Sequence, residues 1–465
     1  MNTKLLNEIR QATAAYPMHM PGHKRNPLFM PPLSCAEDLT ETDTFDDLHN
    51  PKGVLRDCLN FAAELYGTRR SFFLVNGSTG GILSAMYAAC PRGKKILLAR
   101  NCHMSAYNAA EQVDLEFVLV EPQWNAEYGV YGGLSPETLD NALKIQPDIA
   151  LAVVVSPAYE GMTSDISALA GICHAHHIPL LADEAHGAHL PFSRFFPDSA
   201  TDCGADIVVQ SLHKTLPAPT QCAVLHLCSE EFVAADELAR SIGIFETSSP
   251  SYIFVCAMDR CLRLMADKGE ALLETHAQRL RRFYRETQEL VSIKVMPCVI
   301  EGAFARDQSK LWISTFNAGM SGEALWHELN RRGFALEMHT PHGALALTTL
   351  CDTDEAMERF ARTLRELDAE ISLRQASALR ETAQTHILHP PLIELVMSPA
   401  KARAANGETL LLAQTVGRIS RETIFASPPC VPIILPGQRI SDEAVNAVRT
   451  ASYSLCGERI VSVVN

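Results

Sequence analysis

The segment Ala182-Asp183-Glu184-Ala185-His186-Gly187-Ala188-His189, with Ser211-Leu212-His213-Lys214 after it, decides how this chain reads. Ile178-Pro179-Leu180-Leu181 precedes the first, a short apolar run of the kind that forms a buried parallel strand. Asp206-Ile207-Val208-Val209-Gln210 precedes the second and reads the same way. One run ends in an acid and a histidine, the other in a hydroxyl, an imidazole and a lysine. Ligands of open α/β sheets sit at the carboxyl ends of the strands. Asp183, His186, Ser211, His213 and Lys214 are therefore expected to converge on one pocket.

That set suits pyridoxal phosphate. The cofactor needs an amine to hold it covalently, a carboxylate against its ring nitrogen, and donors for its phosphate. Lys214 is the candidate amine, Asp183 the carboxylate, and Ser211 and His213 phosphate donors. Taken singly, Asp183 reads as a helix cap and Lys214 as a surface lysine. At successive strand ends the two read as a site.

Asp-x-Ala-His-Gly followed by Ser-x-His-Lys resembles the Orn/Lys/Arg decarboxylase family of fold-type-I pyridoxal-phosphate enzymes, and the resemblance covers nearly the whole chain. It extends to Asn76-Gly77-Ser78-Thr79-Gly80-Gly81, which lies between a strand at 71–75 and a helix at 82–89. Strand, glycine-rich turn and helix make a phosphate cradle, because glycine lets the backbone approach and the helix N-terminus favours an anion. The match assigns Ser78 and Thr79 to the cofactor phosphate. Arg100-Asn101-Cys102-His103-Met104-Ser105 follows a strand at 95–99 and resembles the family's Arg-Asn-x-His-Lys-Ser. The resemblance implies that His103 stacks on the cofactor ring, and Met104 departs from the family's lysine. Thr247 and Ser248, in a Thr-Ser-Pro-Ser-Tyr-like segment, would cross a dimer interface to the partner's cofactor phosphate. His186 is a further candidate for ring contact or proton transfer.

The implied architecture is α/β: an aspartate aminotransferase-like large domain with a mostly parallel seven-stranded sheet, plus smaller α+β domains on the C-terminal side. The expected boundaries are an N-terminal segment at 1–50, the large cofactor domain at 51–290, a small α+β domain at 291–375, and a C-terminal decarboxylase domain at 385–465. Residues 376–390 read as a linker. The strand at 223–227 is expected to run antiparallel. The small domain is read as strands at 293–300, 311–316, 335–338 and 344–350 with helices at 322–331 and 353–371. Pro21 to Lys24 would pack beside the site. Tyr159, in the turn Ser156-Pro157-Ala158-Tyr159-Glu160-Gly161, would line the pocket mouth, and Glu337 is read as structural. The C-terminal motif Ser427-Pro428-Pro429-Cys430-Val431-Pro432 through Gly437-Gln438 departs from the family at Ser427, Cys430 and Gln438, positions the resemblance places near the substrate.

Composition narrows the alternatives. The 465 residues are 47% apolar and 20% charged, which describes a folded globular chain. A net charge of −14 argues against a nucleic-acid surface and mildly favours cationic substrates. No apolar run of about 18 residues suggests a membrane span. The start lacks the apolar core of a signal peptide. Fourteen cysteines without CxxC pairs read as reduced cytoplasmic thiols. His174, His176 and His177 lack cysteine or acid partners at ligand spacing, so no metal site is expected.

The expected activity is decarboxylation of arginine, lysine or ornithine to agmatine, cadaverine or putrescine, a step of polyamine synthesis. The alternative is an aminotransferase or lyase on the same fold, which would want an arginine for the substrate α-carboxylate; Arg306, Arg331 and Arg332 are available. The resemblance also implies a homodimer with shared sites, in a short form without the N-terminal wing domain of larger members.

Overall fold

The computed structural model describes residues 3–30, 33–42, 45–377, 389–426, 431–451 and 460–464. Its central sheet has seven strands. In chain order they are β1 (Arg70–Leu74), β2 (Lys95–Ala99), β3 (Glu116–Val120), β4 (Ile149–Val155), β5 (Leu180–Asp183), β6 (Ile207–Gln210) and β7 (Ala223–Leu227). Across the sheet they lie in the order β1-β7-β6-β5-β4-β2-β3. The strands from β6 to β3 pair in parallel, and β7 runs antiparallel to both β6 and β1.

The strands read as continuous apolar runs because helices cover both faces. Side chains alternate along each strand. Ile96 and Leu98 join one core with Ile207 and Val209, under the helices Gly77–Ala89 and Ala235–Phe245. Leu97 and Val208 join the opposite core, under Pro136–Ile145 and Ile166–Ala175.

The glycine-rich segment differs from its sequence reading. The helix starts at Gly77, not at Ile82, so Ser78 and Thr79 occupy its first turn. Packing explains why glycines are taken into a helix. A Cβ at Gly81 would come within 2.7 Å of Leu74 Cδ1 and 2.8 Å of Val209 Cγ1. The helix lies so close to the sheet that a side chain does not fit there.

The helix Tyr252–Thr287 leads from the seven-stranded sheet towards a second, four-stranded one and buries Val255, Met258, Leu262, Met265, Leu273, Leu280 and Phe283 along one stripe. The small domain holds an antiparallel sheet of Lys294–Val295, Lys310–Ser314, Gly343–Leu347 and Met338–Thr340, in that spatial order. The expected strand over 293–300 shrinks to two residues, since Pro297 has no N–H to continue a ladder. Phe334–Leu336 pairs instead with Tyr16–Met18, in parallel, so the N-terminal segment adds a strand to this region. The C-terminal part packs Gly407–Leu411 on Ile460–Val464, and Ile424–Ala426 on Val431–Ile434, around Ile434, Ile440, Val448 and Val463. Most of the reading of 376–390 as a linker lies outside the described residues.

Two polar groups hold the large domain in ways the sequence leaves open. Asp46 receives the backbone N–H groups of Lys52, Gly53 and Leu55, each at 2.8 Å, and so caps the helix Val54–Leu65 from outside it. Burial opposes its charge, but these N–H donors prevail and hold its carboxyl below the usual range. His226, fully buried in β7, bonds Ser71 Oγ at 2.8 Å and Gln210 Oε1 at 3.3 Å, and burial pushes it down to about 3.

Replacing Asp46 by Ala should lower stability by about 1 kcal/mol, as for other helix caps, read as an earlier chemical-denaturation midpoint at pH 7. His226 stays neutral in the fold but titrates near 6.5 when unfolded, so the unfolded chain binds the extra proton. Its contribution is therefore complete above the unfolded value and declines as pH falls from there towards about 3. The His226→Gln variant should show a flatter loss of stability across that acid window in denaturation curves taken at a series of pH values.

Candidate active site

A pocket of about 280 Å³ opens at the carboxyl ends of β1, β2, β4, β5 and β6, at the lower end of small-ligand cavities. The parallel register sets its floor. Val155 pairs with Asp183, and Asp183 with Val209, so the ends of β4, β5 and β6 are level. Asp183, His186, His213 and Lys214 all line the pocket.

Lys214 sits in the short helix Leu212–Thr215 that follows β6. Its Nζ lies 3.1 Å from His186 Nε2. An ammonium donates and cannot accept, so His186 Nε2 is the acceptor and its Nδ1 carries the hydrogen. Burial first, then the nearby charges of Lys214 and Lys310, holds His186 well below its ordinary value, keeping the ring neutral. The Tyr159 ring packs 4.3 Å from the His186 ring, and Lys214 Nζ stands 5.7 Å over the Tyr159 ring. Asp183 is 5% exposed, and its Oδ1 accepts the N–H of Ala185 at 3.2 Å. The adjacent Glu184 points away from the pocket, where Ser199, Ala200 and Gln210 donate to it.

His103 also lines the pocket. It caps the helix Met104–Gln112 by accepting the Ser105 N–H on Nδ1 at 3.1 Å. That bond fixes the ring and leaves the hydrogen of the neutral tautomer on Nε2. Burial and Lys214 lower its affinity for a second proton, against the pull of Asp183. Met104 is half-buried at the start of this helix.

The phosphate candidates separate. Asn76, Gly77, Ser78 and Thr79 line the pocket at the N-terminus of their helix, where backbone N–H groups have no partner within the helix. Ser211 is not among the lining residues; it is buried, and its Oγ has no hydrogen-bond partner. His213 faces the pocket but gives its Nδ1 hydrogen to the Cys222 carbonyl at 2.9 Å. Burial pushes it down to about 4, so the neutral ring presents an acceptor, not the donor the sequence suggested. Only an incoming anion that raises this value would turn His213 into a donor. Thr247 and Ser248 are exposed and stand outside this chain's own pocket.

Other expectations shift. Gln438 does not approach the pocket; it is fully buried in the C-terminal part, where its Oε1 accepts the Leu435 N–H at 2.9 Å and closes a turn. Ser427 and Cys430 lie outside the described residues, while Val431 reaches the pocket wall. The 21–24 loop packs behind the Lys214 helix. Gly22 N–H donates to the His213 carbonyl, and a Cβ at Gly22 would lie 2.8 Å from the Leu216 carbonyl oxygen. Lys24 is buried and donates to the carbonyls of Pro17, His19 and Leu347. Glu337 accepts from Tyr159 Oη at 3.1 Å and Met20 N–H at 2.9 Å, joining pocket turn, N-terminal loop and small domain.

Sequence reasoning missed several lining residues: Asn101, Tyr131, Glu160, Thr220 and Gln221. Asn101 stood beside His103 in a recognised motif and Glu160 beside Tyr159 in the turn placed at the pocket mouth; Tyr131, Thr220 and Gln221 carried no sequence signal. His174 pairs with Asp206 and His176 with Asp140, and no metal-holding cluster occurs among the described residues. Nor is any described helix long and apolar enough to cross a membrane.

The pocket fits pyridoxal phosphate by its donor set. It offers a lysine amine, a buried carboxylate, an imidazole fixed by a helix cap, and a helix N-terminus bearing two hydroxyls. The His186 Nδ1 and Ser211 Oγ atoms are buried without partners, polar capacity that the protein alone leaves unused.

The comparisons with known proteins agree. The chain is 29% identical over 463 residues to an arginine decarboxylase of Bacillus subtilis, covering 96% of this chain and 93% of that one. It is 28% identical to an arginine decarboxylase of Halalkalibacterium halodurans, covering 93% and 89%. The Francisella novicida lysine decarboxylase structure superposes with a TM-score of 0.77 at 18% identity, over 90% of this chain and 73% of that one, a likeness of fold. The model of the Orn/Lys/Arg decarboxylase major domain matches residues 11–360. That match over residues 11–360 places the chain in the Orn/Lys/Arg decarboxylase family, whose members are pyridoxal-phosphate enzymes.

Proposed function

We propose that this enzyme removes the α-carboxylate of a cationic amino acid, arginine first among them, and releases CO2 and agmatine for polyamine synthesis. The observation that carries the reading is the convergence of Lys214, Asp183 and His103 on the pocket where Ser78 and Thr79 open a helix. Arginine stands first because relatives matched over nearly their whole length bear the name arginine decarboxylase.

In this reading Lys214 holds the cofactor covalently. Asp183 would be the carboxylate that keeps the ring nitrogen protonated. Ser78, Thr79 and the helix N-terminus receive the phosphate, with Ser211 and a protonated His213 behind them. His103, fixed by its cap, would hold the ring in place. When bound, pyridoxal phosphate supplies the electron sink for the bond that breaks. The protein orients that bond and controls water and protons around it. Lys214 Nζ would deliver the proton that takes the place of CO2 on the substrate carbon, and His186 Nε2, 3.1 Å away, would orient that amine by accepting a hydrogen bond from it.

Transamination on the same fold has less support. Arg306 is engaged by Tyr284 Oη, the Pro297 carbonyl and the Lys310 carbonyl, Arg331 by Glu328, and Arg332 by Glu328 and Glu370. The three candidate clamps for an α-carboxylate are thus spent elsewhere in the structure.

Two copies would complete each other's sites. Thr247 and Ser248 are exposed, directly after Glu246, whose carboxylate receives the N–H groups of Val75 and Asn76 beside the phosphate helix. These hydroxyls would reach the partner's phosphate. The free cysteines suit a reducing compartment, the cytoplasm.

Purified protein reconstituted with the cofactor should absorb at roughly 420 nm, and Lys214→Ala should abolish that band while leaving the circular dichroism spectrum intact. Given arginine, the wild-type protein should release CO2 and agmatine in equal amounts with no keto acid. Keto acid without CO2 would instead establish the transaminase reading.

A further inference from the structure

Two acidic residues line the pocket, Asp183 and Glu160. The proposed function uses the first and leaves the second idle. Glu160 lies in the turn after β4, and that turn is fastened from both sides. Ala158 N–H donates to the Met162 carbonyl at 2.7 Å, and Asp307 N–H to the Gly161 carbonyl at 2.8 Å. Met162 and Thr163 pair with Arg306 and Ala305 of the small-domain side. Backbone held in this way makes a rigid platform for a recognition group.

The carboxylate on that platform makes no ion pair and no side-chain hydrogen bond with any described residue; its hydrogen bond comes from its own backbone amide. Arg306 acts on it through space, and the two terminal nitrogens of that guanidinium bond Tyr284 Oη and the carbonyls of Pro297 and Lys310. Burial pushes Glu160 up to about 7. A half-buried acid in this state has lost hydration without gaining a partner, and a cation entering the pocket would supply one.

We propose that Glu160 is a specificity-determining residue whose carboxylate receives the distal cation of the substrate, a guanidinium or ammonium. The inference deepens the reading of the protein as a decarboxylase of cationic amino acids and rests on it. Selection against neutral side chains then follows, since they would leave Glu160 desolvated and unpaired.

The test uses amines that lack the α-carboxylate, so that no turnover is needed. The holoenzyme is titrated with agmatine, putrescine and pentylamine, and binding is followed by the change in cofactor absorbance. Glu160→Gln should weaken agmatine and putrescine about 30-fold, about 2 kcal/mol at 1.4 kcal/mol per tenfold, and leave pentylamine and cofactor retention unchanged. Equal binding of agmatine by variant and wild type overturns the proposal. So does an equal loss for agmatine and pentylamine, or a wild type that binds neither diamine nor agmatine. Should Glu160→Gln fail to fold, Glu160→Asp keeps the question open to refutation: the shorter acid must weaken agmatine while still preferring it to pentylamine. The two readings fail separately. CO2 from arginine with agmatine binding indifferent to Glu160 overturns this inference alone. Glu160-dependent agmatine binding without CO2 from arginine, lysine or ornithine overturns the reaction and keeps the cation site.

Discussion

The contact between Lys214 Nζ and His186 Nε2, at 3.1 Å, sets the terms for everything around it. An ammonium beside an imidazole is attractive only if the imidazole is neutral. Burial and two lysine charges enforce that state at His186. The parallel register of β5 and β6 then brings the two groups together, because it levels the strand ends from which they come. A slip of one residue would turn Asp183 to the other face of the sheet and put Glu184 in its place.

Around this contact the molecule is braced from three directions. Gly22 and its neighbours press on the Lys214 helix from behind, and Lys24 ties that loop to the small domain through the Leu347 carbonyl. Glu337 holds Tyr159, which packs on His186. Deeper still, Asp307 lies between Lys310 at 3.0 Å and His189 at 3.4 Å, all three buried. This ion pair spares His186 part of the Lys310 charge, since Asp307 pulls the other way. A buried pair of this kind adds little net stability but is costly to break by removing one member.

Much of this was legible in the chain. Apolar runs of four to seven residues ending in chemically active groups announced a parallel sheet and its functional edge. Pairs of motifs at successive strand ends carried the cofactor. The less legible parts share one cause: they depend on contacts between residues far apart in sequence. Glu160 lay in a turn read as the pocket mouth, but its lack of a side-chain partner among the described residues shows only once the small-domain side is packed against that turn. Gln438 stood in a motif, yet its side chain folds back on Leu435. His213 lines the pocket, but its hydrogen-bonding sense is set by the Cys222 carbonyl across a turn.

By itself the sequence determined the α/β class, the strands, and which lysine, acid and histidines gather at the sheet's edge. It could do so because hydrophobic period and strand-end chemistry are local properties, written in consecutive residues. Tertiary structure alone decided that the helix carrying Ser78 and Thr79 begins at Gly77, that Tyr16–Met18 pairs with Phe334–Leu336, and which nitrogen of His103 and His213 carries its hydrogen. It also decided which acids are satisfied and which wait for a ligand. Those outcomes depend on burial and on partners brought from distant parts of the chain, and no run of neighbouring residues contains that information.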